Sequence, residues 1–128
     1  MNNIFLYNIK MQAIKAKRQK SIKRRGIFLE KLFRILDSKV NMKLIYWSED
    51  GHIINIPDPN KFCNKILPKY FKFARYASFL RQLNLYGFHK ILNKNSKNQQ
   101  FINEDFTKYK TLEEIKEIQM KIKNPKKI

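Results

Sequence analysis

Ser78, Arg81, Gln82 and Leu85 fall at the i, i+3, i+4 and i+7 interval that gathers side chains on one face of an α-helix. Three of the four carry groups suited to reading a nucleic-acid base. The Arg81 guanidinium is a flat fork of donors that matches O6 and N7 of guanine bidentately, a fit worth about 1–3 kcal/mol of discrimination. Ser78, Gln82 and Asn84 offer a hydroxyl or an amide that can bond a base edge, a phosphate or a bridging water. Lys72 and Arg75 precede this stretch and Lys90 follows it, placed to hold phosphates and set register. The chemistry expected is therefore base reading by Arg81, Ser78 and Gln82, with Lys72, Arg75, Asn84 and Lys90 on the backbone. Taken singly, each of these residues is equally a solvated surface side chain. The argument rests on their combination on one helix.

That helix needs an opposite face to hold it. Phe79, Leu80, Leu83 and Tyr86 supply one, so residues 76–86 form a two-faced helix, and Gly87 can take the left-handed conformation that closes it. Phe88–Leu92 then reads as a strand, Asn93–Gln100 as a polar basic loop with Lys94 and Lys97, and Gln100–Ile102 as a short returning strand. Upstream, Asp58-Pro59 is a helix start, with Asp as N-cap and Pro in the first turn. The helix predicted there covers 59–67, turns Phe62, Ile66 and Leu67 inward and stops at Pro68. Phe28, Leu29, Leu32, Phe33 and Leu36 mark an amphipathic helix over 27–38. Ile45–Trp47 and Ile53–Ile56 flank the Asp50-Gly51 turn signal as a β-hairpin. Leu112, Ile115, Ile118 and Ile122 make a last amphipathic helix.

The order helix, strand, strand, helix, helix, strand, strand predicts an α+β fold: a winged helix-turn-helix, with a three-helix bundle capped by a small antiparallel β-sheet. The second of the paired helices, 76–86, is the natural reader of a major groove. The domain division expected is a basic arm over 1–25, the winged helix over 26–110, and a short helix with a basic tail over 111–128.

Charge points the same way. The chain of 128 residues carries a formal +18, the attraction expected toward a polyanion. With 22 Lys against 6 Arg, compositional drift could supply part of that excess, so its distribution matters more. Residues 1–26 hold eight basic residues and no acidic one; between Pro59 and Asn103 there are nine Lys or Arg and again no acid. Five of the ten acids lie between Glu104 and Glu117, so the globular part should present one positive face. The run Lys15, Lys17, Arg18, Lys20, Lys23, Arg24 and Arg25 fits a nuclear import signal or a DNA-contacting arm; a solvated tail and an organelle transit peptide are the alternatives.

Other classes find little support. No apolar stretch approaches the ~20 residues that cross a bilayer, so a soluble protein without membrane partners is expected. Cys63 is the one cysteine, without metal-ligand spacing, and reads as a core thiol. Gly26, Gly51 and Gly87 are the only glycines, so there is no phosphate-cradling loop, and His52 and His89 have no nucleophile pattern beside them. Neither catalysis nor a cofactor, metal or small-molecule ligand is expected.

Leu67-Pro-Lys-Tyr-Phe-Lys72, followed by Ala77-Ser-Phe-Leu-Arg-Gln-Leu-Asn-Leu-Tyr-Gly-Phe88, resembles the signature of heat shock transcription factor DNA-binding domains. Phe28-Leu-Glu-Lys-Leu32, Trp47-Ser48, Phe101 and Phe106 match flanking elements in the same order, so the resemblance covers roughly residues 26–122. It implies a nuclear, sequence-specific regulator of transcription that binds double-stranded DNA and reads inverted nGAAn repeats. Arg81 stands where such domains carry the guanine-reading arginine. Ser78 and Asn84 match positions of the same helix, and Lys72 and Lys90 match basic positions near the DNA backbone. The resemblance also implies a wing that faces a neighbouring protomer, which demotes Lys94 and Lys97 as DNA contacts.

Departures accompany the match. Phe73-Ala-Arg-Tyr76 replaces a His-Asn-Asn-Met-like stretch, His89 replaces a usual Arg, and the wing is short. The family normally continues into a trimerising coiled coil, whereas the last apolar series here spans about three turns, too few for a stable coil. The expectation is a monomer in solution, with weak side-by-side association on DNA or a coiled-coil-bearing partner. Two other classes stay open: a general basic nucleic-acid or ribosome-associated protein that keeps the fold without specificity, and an interaction module, which exposure of Phe73 and Tyr76 would favour.

Overall fold

The computed structural model describes residues 27–72 and 75–122. The arm residues Lys15, Lys17, Arg18, Lys20, Lys23, Arg24 and Arg25, as well as Phe73, Ala74 and the tail 123–128, lie outside the described residues.

Helix α1 (Phe28–Asp37) buries Phe28, Leu29, Leu32 and Ile35, which form one stripe at helical spacing. A 3₁₀ turn, Lys39–Asn41, follows; the buried Asn41 amide donates to the Ile35 carbonyl at 3.1 Å and to the Tyr70 hydroxyl at 3.0 Å. Strands β1 (Tyr46–Trp47) and β2 (Ile53–Ile56) pair as the expected hairpin. Its turn is built around Asp50, which accepts from Ser48 Oγ at 2.5 Å and from the His52 N–H at 3.1 Å. Gly51 has φ +79°, and a Cβ there would lie 2.8 Å from the Tyr109 ring, so both backbone angle and space require glycine.

Asp58 caps α2 (Pro59–Lys65), accepting from the Lys61 N–H at 3.2 Å. Here the structure corrects the sequence reading. The helix does not run to 67 and stop at Pro68: it breaks at Ile66, and a four-residue helix α3 (Leu67–Tyr70) starts with Pro68 in its first turn. A first-turn N–H has no intrahelical acceptor, so proline costs nothing there and starts a helix as readily as it ends one. Helix α4 (Tyr76–Leu85) is closed by Tyr86 and by Gly87 at φ +90°. Strands β3 (His89–Ile91) and β4 (Gln99–Ile102) form the wing hairpin.

The four strands make one antiparallel sheet in the order β1-β2-β4-β3, with Ile54 opposite Phe101 and Ile56 opposite Gln99 at its centre. The core lies between this sheet and the helices. Phe28 of α1 stacks on Phe71 and on Tyr86, both at 5.5 Å between ring centroids, while Phe79 of α4 meets Phe62 of α2 at 5.0 Å. Phe106 bridges the sheet side, 5.4 Å from Phe88 and 5.8 Å from Trp47. Helices α1, α2 and α4 thus form the three-helix bundle, and the winged α+β architecture is as the sequence predicts.

Helix α5 (Leu112–Lys121) packs on α1 with Ile115 fully buried. The N-cap of α1, Ile27, has no side chain to offer the exposed amides of the first turn; the buried Gln119 of α5 accepts from the Glu30 N–H instead, at 2.9 Å. Lys116 reaches the Glu30 carboxylate at 4.0 Å.

Candidate nucleic-acid interface

Helix α4 is held from one side only. Phe79 and Leu83 are buried, Leu80 packs against the core, and Tyr86 closes the same face. The other face carries Arg81 and Leu85 in the open, the latter 41% exposed, with Ser78 and Gln82 half-buried beside them. All three predicted base readers therefore share one surface, and Asn84 stands exposed at its margin. Because the buried face fixes the helix, the exposed face is presented without rotational freedom, as a helix that must read a groove requires.

The predicted phosphate contacts lie at both ends of this surface. Arg75 is the N-cap residue of α4 and is exposed; Lys72 is exposed just upstream; Lys90 is exposed on the edge strand β3, three residues beyond Gly87. Among the described residues the ion pairs use Arg34, Lys97, Lys110 and Lys116, with Glu30, Asp58 and Glu114 as partners. Lys72, Arg75, Arg81 and Lys90 make none, so their charge is left for an external anion. Lys97 differs: it lies 3.7 Å from the Asp58 carboxylate, with its side chain still largely exposed.

The electrostatics of the surrounding groups follow from local bonds. Asp58 is held below the usual carboxylate range first by the Lys61 N–H, and Asp50 first by the Ser48 hydroxyl. Burial pushes the Tyr76 phenol well above its usual value, with Cys63 adding to the effect, and raises Tyr86 as well. Tyr76 thus stays a donor throughout the physiological range. Its hydroxyl donates to Gln99 Oε1 of β4, and its ring lies 6.0 Å from Phe79 and edge-on to Phe62 at 6.4 Å. Half-buried in this way, Tyr76 is not the exposed aromatic that would mark a protein-binding patch. Gln99 was not legible as a partner of the reading helix. The two residues are 23 positions apart, and only the folded sheet brings them together.

Among the described residues there is no group of His, Cys, Asp and Glu that could hold a metal ion, and no helix is long and apolar enough to cross a membrane. A cavity of about 230 Å³ among the described residues is lined by Phe33, Leu36, Trp47 and Phe106 and lies away from α4.

Comparison with known proteins agrees with this geometry. Residues 28–121 match the family model for HSF-type DNA-binding domains. The chain is 38% identical over 102 residues to the heat shock transcription factor of Kluyveromyces lactis, an alignment covering 73% of this chain and 15% of the relative. Against the heat shock transcription factor of Saccharomyces cerevisiae it is 47% identical over 75 residues, 59% of this chain and 9% of the relative. The chain thus spans only a small part of the length of these curated relatives. Among solved structures, it is similar to Skn7 of Chaetomium thermophilum with SSRE DNA, with a TM-score of 0.63 and 33% identity over 71% of this chain and 95% of that one. A helix fixed on an aromatic core with its polar face exposed, a four-stranded sheet with a short wing and a family match running from α1 to α5 lead to one conclusion: the chain belongs to the HSF-type DNA-binding family.

Proposed function

We propose that this chain binds double-stranded DNA sequence-specifically and regulates transcription in the nucleus, with α4 in the major groove. Arg81 reads guanine in GAA-type repeats, assisted by Ser78 and Gln82, while Lys72, Arg75, Asn84 and Lys90 hold phosphates. The observation that carries this reading is the exposed, unpaired Arg81 on the one polar face of a helix whose other face is locked in the core. The relatives support it. The matched curated proteins are heat shock transcription factors, and the similar Skn7 structures contain HSE or SSRE DNA. The basic run 15–25 serves as import signal or as an additional DNA arm.

The test is equilibrium binding to a duplex of inverted GAA repeats and to a scrambled duplex at two salt concentrations. A preference of about 10³ or more that persists at higher salt is expected. Arg81→Ala should lower that preference by about 5- to 150-fold, the equivalent of 1–3 kcal/mol. Equal binding to both duplexes that collapses with salt would transfer the reading to a general nucleic-acid binder.

The protein is a monomer in solution on this reading, because α5 already turns Ile115, Ile118 and Ile122 toward α1 and the core. No apolar seam is left over 112–122 for a coiled coil. A stable trimer in sedimentation at micromolar concentration would overturn this.

A further inference from the structure

Four consecutive side chains on the returning limb of the wing reach three other parts of the domain. Lys97 pairs with Asp58, the N-cap of α2, at 3.7 Å. The Asn98 amide donates to Asn55 Oδ1 of β2 at 3.0 Å, and the Gln100 amide donates to the same oxygen at 2.9 Å. Between them Gln99 accepts from the Tyr76 hydroxyl at the first residue of α4. Asn55 is buried, so its bonds are sheltered from water.

Beyond the ring packing of Tyr76 and Phe79 on Phe62, polar ties at the start of α4 are few. Arg75 offers no side-chain cap, there is no acid in the first turn, and the first helical bond, from the Phe79 N–H to the Arg75 carbonyl, is long at 3.3 Å. Ser78 lies in that first turn and Arg81 one turn further on, so any tilt of the helix start moves both reading side chains. A bidentate fit to guanine has a narrow geometric tolerance, whereas a lysine on a phosphate acts as a flexible point charge.

Resting on the base-reading assignment above, we propose that Tyr76 and Gln99 are specificity-determining positioning residues. Their bond fixes the first turn of α4 to β4, so that reading helix and wing tilt over DNA as one body. Its loss lowers sequence preference and leaves general affinity for DNA in place, an outcome that separates positioning from plain stability.

The experiment uses the full chain as wild type, Tyr76→Phe, Gln99→Leu, the double variant and Gln99→Glu. Each is titrated with the inverted-GAA and scrambled duplexes across salt, and exchange of the Phe79 amide is followed without DNA. Tyr76→Phe and Gln99→Leu should each lower the preference by about threefold to tenfold, the worth of one hydrogen bond. The scrambled-duplex affinity and salt slope stay at wild type, and the Phe79 amide exchanges faster. The double variant should lose no more than either single one. Gln99→Glu keeps the acceptor and so keeps the preference, even where its charge weakens binding to both duplexes alike. Wild-type preference in Tyr76→Phe, an equal loss on both duplexes, or additive losses in the double variant would overturn the proposal. Absence of any preference in the wild type would instead remove the base-reading assignment, and this inference with it.

Discussion

Helices α4 and α5, each ten residues long, begin in opposite ways. α5 is closed by a complete capping box: Thr111 Oγ1 accepts from the Glu114 N–H at 3.2 Å, and Glu114 Oε1 accepts from the Thr111 N–H at 3.0 Å. Glu113 and Glu114 place two negative charges at the positive end of the helix dipole. α4 has a basic N-cap, no side-chain cap and no acid in its first turn. The start of α5 is therefore stabilised by its own sequence, whereas the start of α4 is stabilised by what it packs on. On the proposed function, carboxylates that would stabilise the start of α4 locally would also repel a polyanionic ligand. The aromatic cluster behind α4 replaces them.

This comparison can be broken or sharpened by substitution. The largest effect is expected from Phe79→Ala, which empties a fully buried ring site against Phe28, Phe62 and Tyr76. Denaturant titration should show a loss of about 3–5 kcal/mol; a loss below about 1 kcal/mol would mean that α4 holds itself. Thr111→Ala removes one half of the box on α5 and should cost about 0.5–2 kcal/mol by the same titration, with DNA preference untouched. The smallest effect on stability is the most discriminating. Ala77→Glu puts a carboxylate into the exposed first turn of α4 and should stabilise the domain by about 0.3–1 kcal/mol while weakening binding to any duplex. If stability and binding rise together, the missing acid has another cause.

Acid should also separate the two helices. Glu114 is held below its usual value of 4.5, chiefly by the Thr111 N–H and hydroxyl. A carboxylate lowered in the folded state contributes its stability above the unfolded value and loses it as pH falls through the lower, folded one. Amide exchange at the start of α5 should therefore accelerate as the solution is taken below about pH 4.5, once corrected for intrinsic rates. The start of α4, with no carboxylate of its own, should change only with global unfolding.

What could be read beforehand was whatever is local in sequence. The stripe Phe79, Leu80, Leu83 and Tyr86, the Asp58 cap, the Gly51 turn and the Gly87 closure each depend on residues a few positions apart, and each stands as expected. Pro68 misled because proline is compatible with both the end and the first turn of a helix; the buried Ile66 and Leu67 at the break decide between them. Ile35 lies on the buried stripe of α1, yet Phe33 and Leu36, which pattern alone favoured, are only partly covered. The Gln119 bond to Glu30, 89 positions away, and the Tyr76 bond to Gln99 depend on tertiary placement. Glutamines and tyrosines of that kind are common on surfaces, so nothing local distinguished them. That Ser78, Arg81 and Gln82, the residues proposed to read bases, share one face was legible because helical periodicity alone puts them on one side.

The pairing of β2 with β4 has a consequence for how the domain comes into being during synthesis. These central strands enclose residues 57–98, and with them all of α2, α3 and α4. On a ribosome, β2 waits without its main partner until Ile102 has emerged, and closing so long a loop is an entropic barrier that local helix formation does not relieve. The core cluster that holds Phe79 and Leu83 still lacks Phe106 and Ile115 at that point, and the N-terminus of α1 still waits for Gln119. A nascent chain that stalls short of this point carries α4 without a finished core to hold it, so on the proposed function competence to occupy DNA arrives late and with the whole domain.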